Sequence, residues 1–403
     1  MPFFSDLARM LGQQGPVAWD AARQLAHSIA TGGESESNVD PLDRISFEQL
    51  ARVAELQVAN ATGLATSITG RGLQVVPVTR TQWVSETLDA YRPLFERLAG
   101  SLGSGATPPP GTGSGHPSLS SDEIVLGDPT LGEPDGDPSA AWLSGLMQML
   151  TPMMLGMTAG SMVGHLATRS FGQYDLPLPR QASDTIHVLV GNLDAFGTEW
   201  TIERDDLRLW LCLHEVVHHA VIGVPHVRAR LTSLIERYVA GFEADPNALE
   251  DRIGELDPMS MEGMAGFQSL FNDPEALLGA TQSATQRELL PQIEALVCAV
   301  VGYVDHVMDK VGGPLISGYG AVTEAMRRRR VEAGDADRFV ERLFGLELTQ
   351  ERYDRGAAFV DGIVERAGAT GLERLWRDEQ DLPTPNEVDA PGLWLARIDL
   401  PGD

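Results

Sequence analysis

Basic residues and cysteines are scarce in this sequence. Of its 403 residues, 30 are Lys or Arg and 57 are Asp or Glu, a net charge of 30 − 57 = −27. A surface of that sign repels a polyphosphate backbone and an anionic bilayer, so neither nucleic acid nor membrane is an expected partner. The two cysteines, Cys212 and Cys298, each sit in an apolar run. Two are too few for a disulfide framework or a thiolate metal cluster, and buried thiols in a reducing compartment are the expected reading. Met1-Pro2-Phe3-Phe4-Ser5-Asp6 has no basic n-region and no long apolar h-region, so a cytoplasmic location is expected. The nearest approach to a membrane span is Ala140–Ala167, with small residues at Gly156, Gly160 and Gly164. Gln148, Pro152, Ser161 and His165 interrupt it and no positive flank marks one end, so it reads as a buried helix or helical hairpin with close backbone packing.

What is present fits a globular protein: 43% apolar and 22% charged residues, and enough chain for two domains or one large one. Four regions are expected. Residues 1–99 form an N-terminal helical region, with one stripe at Phe4, Leu7, Met10 and Leu11 and a second at Trp19, Ala22, Leu25 and Ile29. Ser46 is the expected N-cap of a further helix with Leu50, Val53, Ala54 and Val58 as its stripe, and residues 82–100 form another. Residues 100–138, dense in Gly, Pro and Ser, are a linker or long loop. Residues 139–381 carry the functional motif, and 382–403 form an irregular tail from which Trp394 and Leu395 pack back. The fold class is mainly α, with one short β-branched strand at Ile186–Val190 before the motif helix. That strand suits either edge pairing with an extended substrate or the core.

The chemistry concentrates in His214-Glu215-Val216-Val217-His218. Residues four apart share a helix face, so both imidazoles can address one Zn2+. Glu215, displaced by one residue, is placed to take a proton from a water on that metal. The helix is expected from Asp205 to Ile222, with Asp205 and Asp206 favourable in its first turn and Gly223 and Pro225 stopping it. Both histidines fall on its apolar row, where uncoordinated polar groups are costly. His219 projects about 100° from His218 and is expected to be structural or to orient a ligand.

A catalytic zinc needs a third protein ligand and an open position. Val224 stands where a histidine six residues after the second ligand would be, and His226 lies beyond the helix stop. The apolar helix expected at 288–311 carries the better candidates. Asp305 shares a row with Cys298, Val301 and Met308, where a carboxylate must be paired or bound to metal. His306 is the alternative ligand, and Tyr303 is a candidate oxyanion stabiliser. Arg327–Arg330, the only basic cluster, is expected to pair with local Asp and Glu.

With these residues in view, the sequence resembles a bacterial family of zincin-like, zinc-dependent metallopeptidases, some members of which carry an association with deazaflavin coenzyme biosynthesis. The resemblance rests on Phe4 to Ile29 around Gly15-Pro16-Val17-Ala18-Trp19-Asp20, on Leu207-Arg208-Leu209-Trp210 leading into His214-Glu215 and His218-His219, and on Gly223-Val224-Pro225. It extends through Gly302-Tyr303-Val304-Asp305-His306-Val307-Met308-Asp309 and the arginine run before Phe344-Gly345-Leu346-Glu347. It implies a mainly helical zincin-like fold and a hydrolase role but no substrate; the chemistry of the zinc motif makes a peptide or small amide the expected substrate class. The family pattern resembles Glu-Gly-x-x-acid on the later helix. Here Val301 replaces the Glu, and Asp305 remains as the acid. A non-catalytic protein keeping the scaffold and a structural metal is the alternative. Oligomeric state is left open.

Overall fold

The computed structural model describes residues 15–104, 138–242, 282–332 and 334–399. The stripe from Phe4 to Leu11 and most of the expected linker lie outside them.

The first described helix, α1 (Trp19–Thr31), buries alanines rather than its larger side chains: Ala22, Ala26 and Ala30 face inward. Opposite them lies α4 (Pro138–Arg169), the single helix formed by the run that resembled a membrane span. The reason for its glycines is steric. A Cβ on Gly156 would stand 2.6 Å from the Ala18 carbonyl oxygen, one on Gly164 would stand 2.9 Å from Ile29 Cβ, and one on Gly160 would fall on the Ala22 carbonyl. Pro152 lies inside α4, and its carbonyl accepts the Ala18 N–H at 2.8 Å. Gly160→Val is therefore expected to destabilise the fold by about 3 kcal/mol or more, because backbone cannot yield as a flexible side chain can. The denaturant midpoint measures this; an unchanged midpoint would refute the close packing.

The second helix, α2 (Pro41–Thr62), starts earlier than expected. Asp40, not Ser46, caps it by accepting the Leu42 N–H, and Pro41 occupies the first helical position. Its core side is Phe47, Ala51, Ala54 and Val58, whereas Val53 faces solvent. After β1 (Gln74–Pro77) and α3 (Arg80–Ser104) the chain passes through α4 to β2 (Thr185–Val188). The two strands pair in parallel, with Gln74 opposite Thr185 and Pro77 opposite Val188. β1 went unforeseen because four residues ending in proline carry too little alternation to register. β2 lies in the core, with Ile186 and Val188 fully buried.

The centre of the molecule is α6 (Arg204–Gly223), which follows α5 (Val190–Glu199). From Trp210 through Ile222 every residue is buried, so the helix is surrounded rather than laid on a core. Its start is held by buried Arg208, whose guanidinium pairs with Asp43 of α2 at 2.8 Å and Asp194 of α5 at 2.9 Å. At Val224 the chain turns by 86° into α7 (Pro225–Ala240). The other long core element is α8 (Ala284–Leu315), opened by a capping box between Ser283 and Gln286. It runs through Gly312, Gly313 and Pro314 to Leu315, past its expected end. Among the described residues α8 is the one single helix long and apolar enough to cross a membrane, and 67% of its apolar window is buried inside the protein.

The helices α9 (Tyr319–Val331), α10 (Asp335–Leu343) and α11 (Gln350–Ala367) follow. α11 packs tightly on α8, where Gly302 and Gly356 leave no room for a Cβ on either side. The segment expected to be an irregular tail contains two short helices, α13 (Pro385–Val388) and α14 (Pro391–Asp399), after α12 (Ala369–Glu373). Trp394 packs back fully buried, its indole N–H donating to the Asp381 carbonyl. Buried side chains from Val17 to Leu395 form one contiguous core, and both cysteines lie in it as free thiols.

Candidate metal centre

Four rings form a ladder along the buried face of α6. Trp210 stacks on His214 with centroids 4.8 Å apart, the His214 and His218 rings are 4.4 Å apart, and Tyr174 stacks on His218 at 5.9 Å and 9°. The helical repeat alone brings the two histidines together. Burial holds His214 down at about 4, despite the neighbouring Asp175 charge that favours protonation. Burial also pushes His218 well below its ordinary value, and the His214 ring adds to the effect. Both imidazoles are therefore neutral near pH 7, the state a metal requires.

Hydrogen bonding sets the tautomer of His218. Its Nδ1 lies 3.1 Å from the His214 carbonyl, which can only accept, so Nδ1 carries the proton and Nε2 carries the lone pair. His214 Nδ1 is buried without a hydrogen-bond partner, 3.5 Å from Glu215 Oε1. An orphaned nitrogen beside a ring with a free lone pair suits a metal better than a closed core network. These two donors fit Zn2+. Among the described residues no group of three His, Cys, Asp or Glu side chains is placed to hold a metal ion.

Glu215 is fully buried, and its environment was not legible in the sequence. The turn after α4 donates backbone N–H groups to it, from Gln173 at 2.8 Å and from Tyr174 at 3.1 Å. The turn approaches so closely that a Cβ on Gly172 would fall on the carboxyl group. Asn192 of α5 anchors the turn by donating to the Ala167 and Ser170 carbonyls. Asp175 accepts the Phe171 N–H and pairs with Arg329 at 3.0 Å. Burial raises Glu215 to about 8, with Asp175 adding to the rise and the two N–H donors opposing it. A carboxyl with a value near neutrality can both take up and release a proton around pH 7.

His219 points to a different network. The Tyr174 hydroxyl lies 2.8 Å from its Nδ1, and its Nε2 is 3.9 Å from Asp184. Burial pushes Tyr174 up to about 12, so the phenol stays protonated and donates. Asp184 in turn gathers the loop before β1, accepting from Ser67 Oγ, the Ile68 and Arg71 N–H groups, and both the N–H and hydroxyl of Thr69. Burial alone would raise its carboxyl, but these donors outweigh burial and hold it far below the usual carboxylate range. A depressed carboxylate stabilises the fold above its unfolded value of about 4 and loses that contribution as pH falls. The stability difference between the protein and Asp184→Asn is thus expected to be full at pH 7 and to shrink steadily below about pH 4. Denaturant unfolding across that range tests it; a pH-independent difference would sink the assignment.

The candidates on α8 are distributed differently. Asp305 makes a bidentate pair with Arg330 of α9, both bonds 3.0 Å, and Arg330 stacks 3.9 Å over the Tyr353 ring. Its charge still reaches both histidines, favouring their protonated forms. His306 is half-buried among Asp361, Lys310 and Asp309, and burial lowers its value. Tyr303 packs edge-on against Trp376 with ring centroids 5.3 Å apart. The arginine run is fully engaged: Arg327 and Arg328 pair with Glu324, Arg329 with Asp175 and Arg330 with Asp305. Away from this centre, an open cleft of about 440 Å³ lies at the α6–α7 bend, lined by Gly223, Pro225, Arg228 and Thr232 and by neither His214 nor His218.

A buried helix presenting His-Glu-x-x-His with neutral, metal-ready imidazoles defines a zincin-type scaffold. The model of the zincin-like metallopeptidase family matches residues 17–395, and the chain belongs to that family. Among solved structures, the chain is similar to a crystal structure from Chloroflexus aurantiacus, provisionally assigned as a hydrolase with a novel fold. The two share 20% identity at a TM-score of 0.63, with 96% of this chain and all of that one covered. At that identity the likeness establishes the fold alone. No curated protein matches the chain.

Proposed function

We propose that this protein is a zinc-dependent hydrolase of peptide or small amide bonds, with His214 and His218 as metal ligands and Glu215 as general base. The observation that carries the reading is the pair of neutral imidazoles 4.4 Å apart beside a buried carboxyl raised to about 8. Zn2+ at this position would supply a Lewis acid that polarises a carbonyl and makes water more acidic. Glu215 receives the proton released as water attacks and returns it to the leaving amine. The N–H groups of Gln173 and Tyr174 orient its carboxyl for both transfers. Tyr174, stacked on His218, keeps that ring in place.

The alternative, a scaffold with a non-catalytic metal, is favoured by one observation. Asp305, the acid expected to complete the site, is already satisfied by Arg330. Metal analysis of the purified chain and of His214→Ala, together with cleavage of a peptide library, separates the two. Stoichiometric zinc lost in the variant, plus cleavage, supports the enzyme. Zinc without cleavage supports the scaffold, and no zinc in the parent refutes both.

A further inference from the structure

The helix α2 carries two apolar faces, and the fold uses only one. At 100° per residue, Phe47, Ala51, Ala54 and Val58 cluster on the buried side. Leu42, Ile45, Val53 and Leu56 fall within about 80° of arc on the opposite side. They are 70%, 53%, 42% and 60% exposed, and Gln49, also exposed, lies in their midst. Four large apolar side chains in one solvent-facing row are not the scattered singles normal on a surface.

The row is also a palindrome. Leu42, Ile45, Gln49, Val53 and Leu56 are spaced 3, 4, 4 and 3, the same in either direction. A two-fold interface requires such self-complementarity, because residue i must meet j while j meets i. With two copies of α2 antiparallel about Gln49, Leu42 meets the partner copy at Leu56, Ile45 meets it at Val53, and Gln49 meets its own equivalent. The flanking charges agree. Glu48 and Arg52 are exposed on one side of the row, with side chains 65% and 74% accessible. The same two-fold brings Glu48 of each copy beside Arg52 of the other. Within one chain the two already pair, so the dimer joins two such pairs into a four-member network.

We propose that the outer face of α2 is a homodimer interface, an antiparallel helix pair with Gln49 on the two-fold axis. Steps of 3 and 4 keep the row on one helix face, though its mirror-symmetric order differs from the 3-4-3-4 alternation of a heptad seam, and a paired central glutamine fixes register as buried polar residues do between helices. The row spans about 21 Å, fourteen residues at 1.5 Å each. One helix pair of that length is a small interface, so dissociation in the micromolar range is expected. The net charge of −27 on each copy opposes association, so moderate salt should strengthen the dimer.

Sedimentation velocity of the full chain from about 1 to 200 μM is expected to show a monomer shifting to a dimer. Ile45→Glu should weaken dimerisation at least tenfold while leaving the thermal melt of the dilute monomer unchanged, since the side chain is exposed there. Gln49→Cys should cross-link to itself under mild oxidation. Leu42→Cys should not, but should cross-link when mixed with Leu56→Cys. Cys212 and Cys298 are buried and give little background. A chain that stays monomeric at the highest concentration overturns the proposal, as does a dimer indifferent to Ile45→Glu. Self-cross-linking of Leu42→Cys in place of Gln49→Cys overturns the register and the proposal with it. A lowered melt for Ile45→Glu in a monomer would mean that the chain covers this face itself, again against the proposal.

Discussion

Glu215→Gln is expected to abolish hydrolysis, by on the order of 10³-fold or more in kcat, while zinc content stays at the parental level. The substitution keeps one acceptor oxygen for the Gln173 and Tyr174 N–H groups, so the turn after α4 has a partner and the fold is not expected to suffer. What disappears is the capacity to hold a proton at that carboxyl. The two measurements are independent. Metal content reads His214 and His218, and turnover reads Glu215. Activity within tenfold of the parent would show that the base lies elsewhere. Loss of zinc would show that Glu215 supports the ligands rather than the reaction.

Asp305→Ala is expected to cost about 2 kcal/mol of stability and to leave zinc bound. The bidentate pair with Arg330 is only partly screened: the Asp305 side chain is 33% exposed and that of Arg330 is 20% exposed. Removing the carboxylate leaves the guanidinium over the Tyr353 ring without its counter-ion. A double-mutant cycle with Arg330→Ala should recover most of the loss, because the double variant leaves no unpaired charge. If Asp305→Ala instead empties the site of metal at unchanged stability, Asp305 is a ligand and the pair with Arg330 is secondary.

The histidine pair and its helix were readable from local rules. The i, i+4 spacing, the acidic first turn and the Gly223-Pro225 stop each act within a turn of helix, and α6 runs from Arg204 to Gly223 as those rules require. The glycines of α4 were readable as close-packing positions, though not the alanines of α1 that they meet. The clamp on Glu215 was not readable. It is made by backbone N–H groups of Gln173 and Tyr174, about forty residues upstream, and backbone donors leave no mark on residue type. The one trace is Gly172, where any side chain would strike the carboxyl.

Asp305 shows where the boundary falls. Residue types and spacing alone required a partner for a carboxylate on an apolar row of α8 and acids for the arginine run, because burying an unpaired charge is costly wherever it occurs. It could not say that these two needs answer each other across the α8–α9 corner, 25 residues apart. Local chemistry determined the histidine pair, Glu215 beside it and the helix that carries them. Which of the remaining charged groups face the pair and which face one another was set by the packing of the folded chain, because that choice depends on where separate helices cross.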